Sequence, residues 1–265
     1  MLLIINKIKH QVLELHKFNY VLLQLVRQQL ILRYRRTALG FLWTLINPLL
    51  MMSVTAVVFA TLFKIDLKTF AIFLFAGMIP WNFFNSAIVQ SSSSFINNEG
   101  LIKKIYLPKL LFPLSVSLGV LIDSFLSFAA LFIIIAILGH KLSLAMFFVP
   151  VAYLLLFFFT FGIVLIISVA TVFFRDLQYI MTVGMQALFF LTPILYNKDM
   201  LGGKIATLVS LNPVVPYIEL FRAPINSAVL PSVTTIIYAL LYAIVSMGVG
   251  YALFTKFEKK IVFRL

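Results

Sequence analysis

The chain has 265 residues, of which 63% are hydrophobic and 11% charged, with a formal net charge of +13 and a mean hydropathy of +1.10. Soluble domains are roughly 45–50% apolar and about 25% charged, so no water-soluble fold has interior enough to hide this surface, and residues 1–265 read as one membrane domain. The lack of cysteine excludes disulfides, thiol catalysis and thiolate-held metals. The basic residues flank apolar runs instead of forming one patch, which argues against nucleic-acid binding.

A short apolar start gives way to Lys7, Lys9 and His10 with no small-residue cleavage site, so residues 1–36 are expected to be kept, on the cytoplasmic side. Within 11–36, Val12, Leu15, Leu22, Leu25 and Val26 fall at helical spacing, with His16, Lys17, Gln24, Arg27 and Gln28 between them. This predicts an amphipathic helix lying along the interface, with Arg33, Arg35 and Arg36 facing anionic headgroups.

A helix needs about 20 mostly apolar residues to cross roughly 30 Å of hydrocarbon. Six stretches qualify, at 41–63, 70–90, 113–138, 145–173, 179–196 and 232–254, the fifth being the shortest. The predicted fold is all-α and polytopic, with six transmembrane helices. An inside N-terminus puts fifteen Lys and Arg residues in inside segments and six outside, namely Lys64, Lys68, Lys141, Lys198, Lys204 and Arg222. That bias predicts that both termini are cytoplasmic.

The inside loop between the second and third stretches reads SSSSFINNEGLIKKIYLPKLLFP. Its serines, Asn97, Asn98 and Glu99 suit a helix start, with acceptors for free amides and a negative charge in the first turn. Over 97–109, Leu101, Ile102, Ile105 and Tyr106 alternate with Lys103 and Lys104, a short amphipathic helix that either offers a soluble partner a grip or is a plain charged connector.

Asp123 sits about ten residues into the third stretch, where an ionised carboxylate is costly. It reads either as a structural carboxylate or as a site of proton coupling. The stretch 197–231 is outside yet too apolar for a solvated loop: LGGKIATLVSL and VPYIELFRAPI are split by Asn212 and Pro213. Apolar segments this short are more often re-entrant than spanning. They predict two short outer helices, broken at Pro213, Pro216 and Pro224, that either gate an exit or fill a packing gap.

Gly203-Lys204 lacks the serine or threonine and the earlier glycine of a phosphate-binding loop, and no GxSxG or HExxH occurs. His10, His16 and His140 suit solvated surface. The chain is therefore expected to have no catalytic residue, to hold no metal and to bind no cofactor. Aromatic clusters such as Trp81, Phe83 and Phe84, or Phe189 and Phe190, suit lipid-facing belts, and some could stack on sugar rings.

Three strings in order resemble one family: RYRRTALGFLWTLINPLLMMSVTAVVF at 33–59, IYLPKLLFPL at 105–114, and TPILY followed by LNPVVPYIELFR at 192–222. They resemble the membrane (permease) subunits of ABC-2 type polysaccharide exporters, which move lipid-linked O antigen, teichoic acid or capsular polysaccharide. The resemblance implies a transport subunit of the bacterial cytoplasmic (inner) membrane, not an enzyme. It also implies a homodimer joined by two nucleotide-binding ATPase subunits that hold the ATP and Mg.

Carried over by residue, 11–36 would be the interface helix, 97–109 the coupling helix and 197–231 the outer gate helices. ATPase contacts would come from Asn98, Glu99, Gly100, Leu101, Ile102, Lys103, Lys104 and Tyr106. The first and fifth spans would line the conduit, through Trp43, Phe59, Phe63, Phe189, Phe190 and Tyr196. The competing expectations are an ion-coupled lipid or glycolipid flippase using Asp123, and a scaffold or receptor subunit without transport.

Overall fold

The computed structural model describes residues 11, 13–34, 37–137, 143–197, 200 and 202–265, and every regular element among them is helical. Val12, Arg35, Arg36, His10, His140, Lys141, Lys198 and Leu201 lie outside the described residues. Helix α1 is Asn19–Tyr34 and follows a helical stretch at 13–17 and a turn at Phe18. Next come α2 (Trp43–Phe63), α3 (Leu67–Ser91), α4 (Glu99–Lys104), α5 (Leu111–Ile137) and α6 (Val149–Phe173). The chain continues with α7 (Leu177–Phe190), α8 (Gly203–Ser210), α9 (Val215–Asn226) and α10 (Val233–Arg264).

Among the described residues, five helices are long and apolar enough to cross a membrane, at Leu45–Phe63, Leu67–Ser91, Leu111–Ala136, Leu144–Phe173 and Val233–Arg264. Four of the six expected stretches thus appear with shifted ends, and the last runs on for ten residues past 254. The expected span at 179–196 is different. Helix α7 has 14 residues, about 21 Å of rise, short of the roughly 30 Å needed. Pro193 supplies no N–H and pushes Thr192 out of the helical region, so the chain is irregular from 191 to 197.

The two ends of the bundle are defined by contacts between distant segments. At one end Phe63 meets Phe70 at 6.1 Å, and a cavity of about 180 Å³ joins Phe63, Thr69, Tyr196 and Asn226. Ser143 there donates to the Ala228 carbonyl at 3.0 Å. At the other end Phe173 meets Phe257 at 5.5 Å, and the Tyr106 hydroxyl donates to Glu14 at 3.4 Å. The stretch from Leu177 to Asn197 therefore joins the two ends, although only its first 14 residues are helical.

Helices α6 and α10 lie backbone against backbone. A Cβ built on Gly162 would fall 2.3 Å from the Ser246 carbonyl carbon, and one on Gly250 would fall 2.1 Å from the Gly162 oxygen. The Ser246 hydroxyl then reaches the Phe159 carbonyl at 3.0 Å. Close approach through small residues with an added hydroxyl bond is how helices associate where lipid removes the hydrophobic drive.

The outer pair is unequal. Helix α9 is a core element: Tyr217, Ile218, Leu220, Phe221 and Ile225 are buried, and Tyr217 stacks on Phe159 at 4.6 Å while donating to the Ala239 carbonyl at 2.7 Å. Helix α8 buries only Val209. The interface helix also departs from expectation. His16, Lys17, Gln24, Arg27 and Gln28 are exposed as its polar face requires, but Leu25 and Val26 are buried within the protein instead of facing acyl chains. Gln29 adds a hydrogen bond to Ser115 of α5 at 3.3 Å.

Candidate functional site: a docking loop, an arginine anchor and a polar cavity

The serine run ends a helix instead of starting one. Ser91, Ser92 and Ser93 donate their hydroxyls to the carbonyls of Ile88, Val89 and Gln90, at 3.0, 2.6 and 3.2 Å, closing α3. Asn98 is the N-cap of α4 but makes no side-chain cap bond; its amide donates to the Ser94 carbonyl at 2.8 Å. The expected helix over 97–109 is a 3-10 turn, Ile96–Asn98, and the six-residue α4. Ile105 is already extended at φ −133° and ψ 138°, and Pro108 prevents the helix from resuming at Leu107.

This brings the expected ATPase-contact residues onto one projecting loop. Gly100, Lys103, Lys104 and Tyr106 are exposed, the last to 69%, whereas Asn98, Glu99 and Leu101 are half-buried. Ile102 is the exception and is buried in the core. Lys103 donates to Glu99 at 2.6 Å. That hydrogen bond, and then the lysine charge, hold the Glu99 carboxyl below its ordinary range. The negative charge of Glu14 pushes the Tyr106 hydroxyl up.

The expected conduit aromatics divide. Phe59 and Phe63 pair at 5.6 Å, and Phe63 and Tyr196 share the cavity at one end of the bundle. Phe189 and Phe190 pair at 5.4 Å on α7, with Phe189 also 5.7 Å from Trp81. Tyr196 ties back to the Phe190 carbonyl at 2.9 Å. Trp43 begins α2 and Phe63 ends it, so 20 residues separate the two, about 30 Å of helix. Trp43 is not brought to the other five.

Arg222 was expected in an outside segment, yet it is only 5% exposed. It donates to the carbonyls of Pro193 and, at 2.6 Å, Ile194, and its guanidinium lies 3.8 Å over the Phe73 ring. Gly77 makes room, since a Cβ there would fall 2.8 Å from Nη2. The arginine thus binds the carbonyls that the break in α7 leaves without helical partners. A charged residue inside the apolar string VPYIELFRAPI was the available signal.

A cavity of about 350 Å³ between α2, α3 and α5 is lined by Asn47, by Asn82, Ser86 and Gln90, and by Asp123, Ser124 and Ser127. A neighbouring cavity of about 320 Å³ is lined by Gln28, Gln29, Ser93 and Asn97 among others, and Gln90 lines both. Asn82, Ser86 and Gln90 are four apart on α3, so they form one stripe.

These features match a known family. Residues 20–226 match the ABC-2 type transporter family, a stretch that runs from the second residue of α1 to the end of α9. The chain is 31% identical over 243 residues to the O-antigen export system permease protein RfbA of Klebsiella pneumoniae, covering 90% of this chain and 92% of that one. It is 30% identical over 212 residues to RfbA of Myxococcus xanthus, 79% of this chain and 82% of the relative. To the polysialic acid transport protein KpsM of Escherichia coli it is 22% identical over 234 residues, 86% and 89% of the two chains. With both the family and the full-length likeness in hand, the chain belongs to the ABC-2 type transporters, as a permease of a polysaccharide exporter.

Proposed function

We propose that the chain forms the channel of an ATP-driven exporter that carries a lipid-linked polysaccharide out of the cytoplasm across the bacterial cytoplasmic membrane. It works as a homodimer with two separate ATPase subunits. The observation that carries this reading is likeness over nine-tenths of the chain to a relative named for O-antigen export, joined to an exposed loop suited to a soluble partner.

Six crossings fit the bundle, the fifth being α7 completed by the irregular segment to Asn197, since that stretch joins the two ends. This puts the α1 segment, the α4 loop and the end of α10 together, on the side that the basic residues assign to the cytoplasm. Force on the α4 loop has two routes inward. Ile102 is anchored in the core, and Asn98 is bonded to Ser94 beyond the end of α3. ATP hydrolysis in the partner supplies the energy; this chain converts movement of the loop into movement of α3 and α5. A remote event shifts the spans only through contacts that differ between two states.

The loop is testable by charge reversal. In the double variant Lys103→Glu and Lys104→Glu, copurification of the ATPase is expected to fall at least tenfold and surface glycan to vanish, with the permease present in the membrane at its usual level. Both lysines are exposed, and the Lys103–Glu99 pair lies on the surface with side chains 47% and 36% accessible, where solvent screening makes such a pair a minor contributor to the fold. Unchanged copurification and export would remove the coupling role from this loop.

A further inference from the structure

We infer that the two polar cavities form one hydroxyl-binding track inside each protomer, running from the α4 loop toward the middle of the bundle, and that it takes a neutral stretch of the exported glycan. The inference rests on the polysaccharide reading above and adds a site to it.

The track follows the stripe on α3. Asn82, Ser86 and Gln90 are succeeded by Ser93 and Asn97 below the end of the helix, and Gln90 belongs to both cavities. The facing wall is Asn47 of α2 and Asp123, Ser124 and Ser127 of α5. Polar side chains at membrane depth are tolerated where they are buried in protein or line a wet cavity. Some of them pair within the protein, Ser124 with the Tyr153 hydroxyl at 3.0 Å and Asn97 with the Ser93 hydroxyl at 3.1 Å, yet about 350 and about 320 Å³ stay open beside them. A water occupies about 30 Å³, so each cavity has room for several waters or a sugar ring.

The lining selects the kind of ligand. Amides and hydroxyls both donate and accept, as sugar hydroxyls do, and the Asp123 carboxylate accepts. Met78, Ile79 and Phe83 add apolar surface in the same cavity, suited to the C–H face of a ring. No Lys, Arg or His lines either cavity among the described residues, so nothing there offsets the phosphate charge of a lipid anchor. A bare cation would leave most of the volume unused. The track therefore suits the sugar portion and not the phosphate end.

The test uses the natural lack of cysteine. Single variants Ser86→Cys, Gln90→Cys and Ser93→Cys are made in the full chain, with Ile244→Cys on the exposed face of α10 as reference. Membranes are treated with a charged, membrane-impermeant methanethiosulfonate. They come from cells that make the glycan and from cells lacking the enzyme that loads the first sugar on the lipid carrier.

Without glycan, the three track positions are expected to react at least tenfold faster than position 244; with glycan, their rates are expected to fall at least fivefold. Rates equal to that of position 244 would mean a dry interior, and rates indifferent to glycan would mean a water pocket only; either overturns the track. Three positions guard against one variant failing to accumulate. Surface glycan is scored in the same strain with and without the permease gene. Glycan that reaches the surface without the permease sinks the export reading itself, whereas normal export with glycan-indifferent labelling sinks the track alone.

Discussion

Replacing Arg222 by methionine is expected to abolish export and to lower the melting temperature of the detergent-solubilised protein by well over 5 °C. The side chain is buried with only 5% exposure and bridges the carbonyls of Pro193 and Ile194 while stacking on Phe73. Hydrogen bonds to a charged group contribute about 1.5–3 kcal/mol each, and a desolvated cation over an aromatic ring about 2 kcal/mol. Methionine fills the space but leaves two carbonyls with no donor at a place where water is scarce. Lysine reaches as far but is a point charge without the planar fork, so Arg222→Lys is expected to fall between wild type and Arg222→Met. Surface glycan and thermal unfolding are the measurements; wild-type values for the methionine variant would refute the anchoring role.

The next largest effect is expected at the α6–α10 crossing. Valine at Gly162 or Gly250 would put atoms 2.3 Å or 2.1 Å from backbone of the facing helix. Overpacking commonly costs about 1–3 kcal/mol when side chains can yield, but here the obstacle is main chain, so the helices must separate. Separation also breaks the Ser246–Phe159 bond. Each variant is expected to be depleted from the membrane and to be cut by protease within this pair. Gly184→Val, at a glycine with nothing within 4 Å, is the control expected to accumulate normally, and equal behaviour of all three would overturn the argument.

The apolar runs made α2, α3, α5, α6 and α10 legible, because hydrophobic length is the property that a bilayer measures. The same measure does not show how 179–196 is built. It counts apolar residues and does not see that Pro193 ends the helix while Arg222, 29 residues later, supplies the missing donors. Four serines read as a helix start for the same reason: their chemistry suits either end, and only the chain path shows three of them, Ser91, Ser92 and Ser93, bonding backward to α3. Arg222 was assigned by segment to the outside because burial is a tertiary property. The stripe of Asn82, Ser86 and Gln90 was written in the sequence at a spacing of four, but neutral polar residues in an apolar run give a weaker signal than the one carboxyl of the facing helix, Asp123. The short amphipathic helix after the second span was legible in sequence, while the split between exposed Lys103, Lys104 and Tyr106 and buried Ile102 required the fold.

The break in α7 bears on how the protein is made. An ordinary span satisfies its own backbone and can settle in the bilayer as soon as it leaves the ribosome. The carbonyls of Pro193 and Ile194 have no such autonomy, since their donor sits on α9 and is synthesised later. Residues 177–197 are therefore expected to be complete only once residues 215–226 have been made and have docked. A nascent chain stalled just short of Arg222 would leave that part of the bundle open to quality-control proteases, and adding a few more residues would close it.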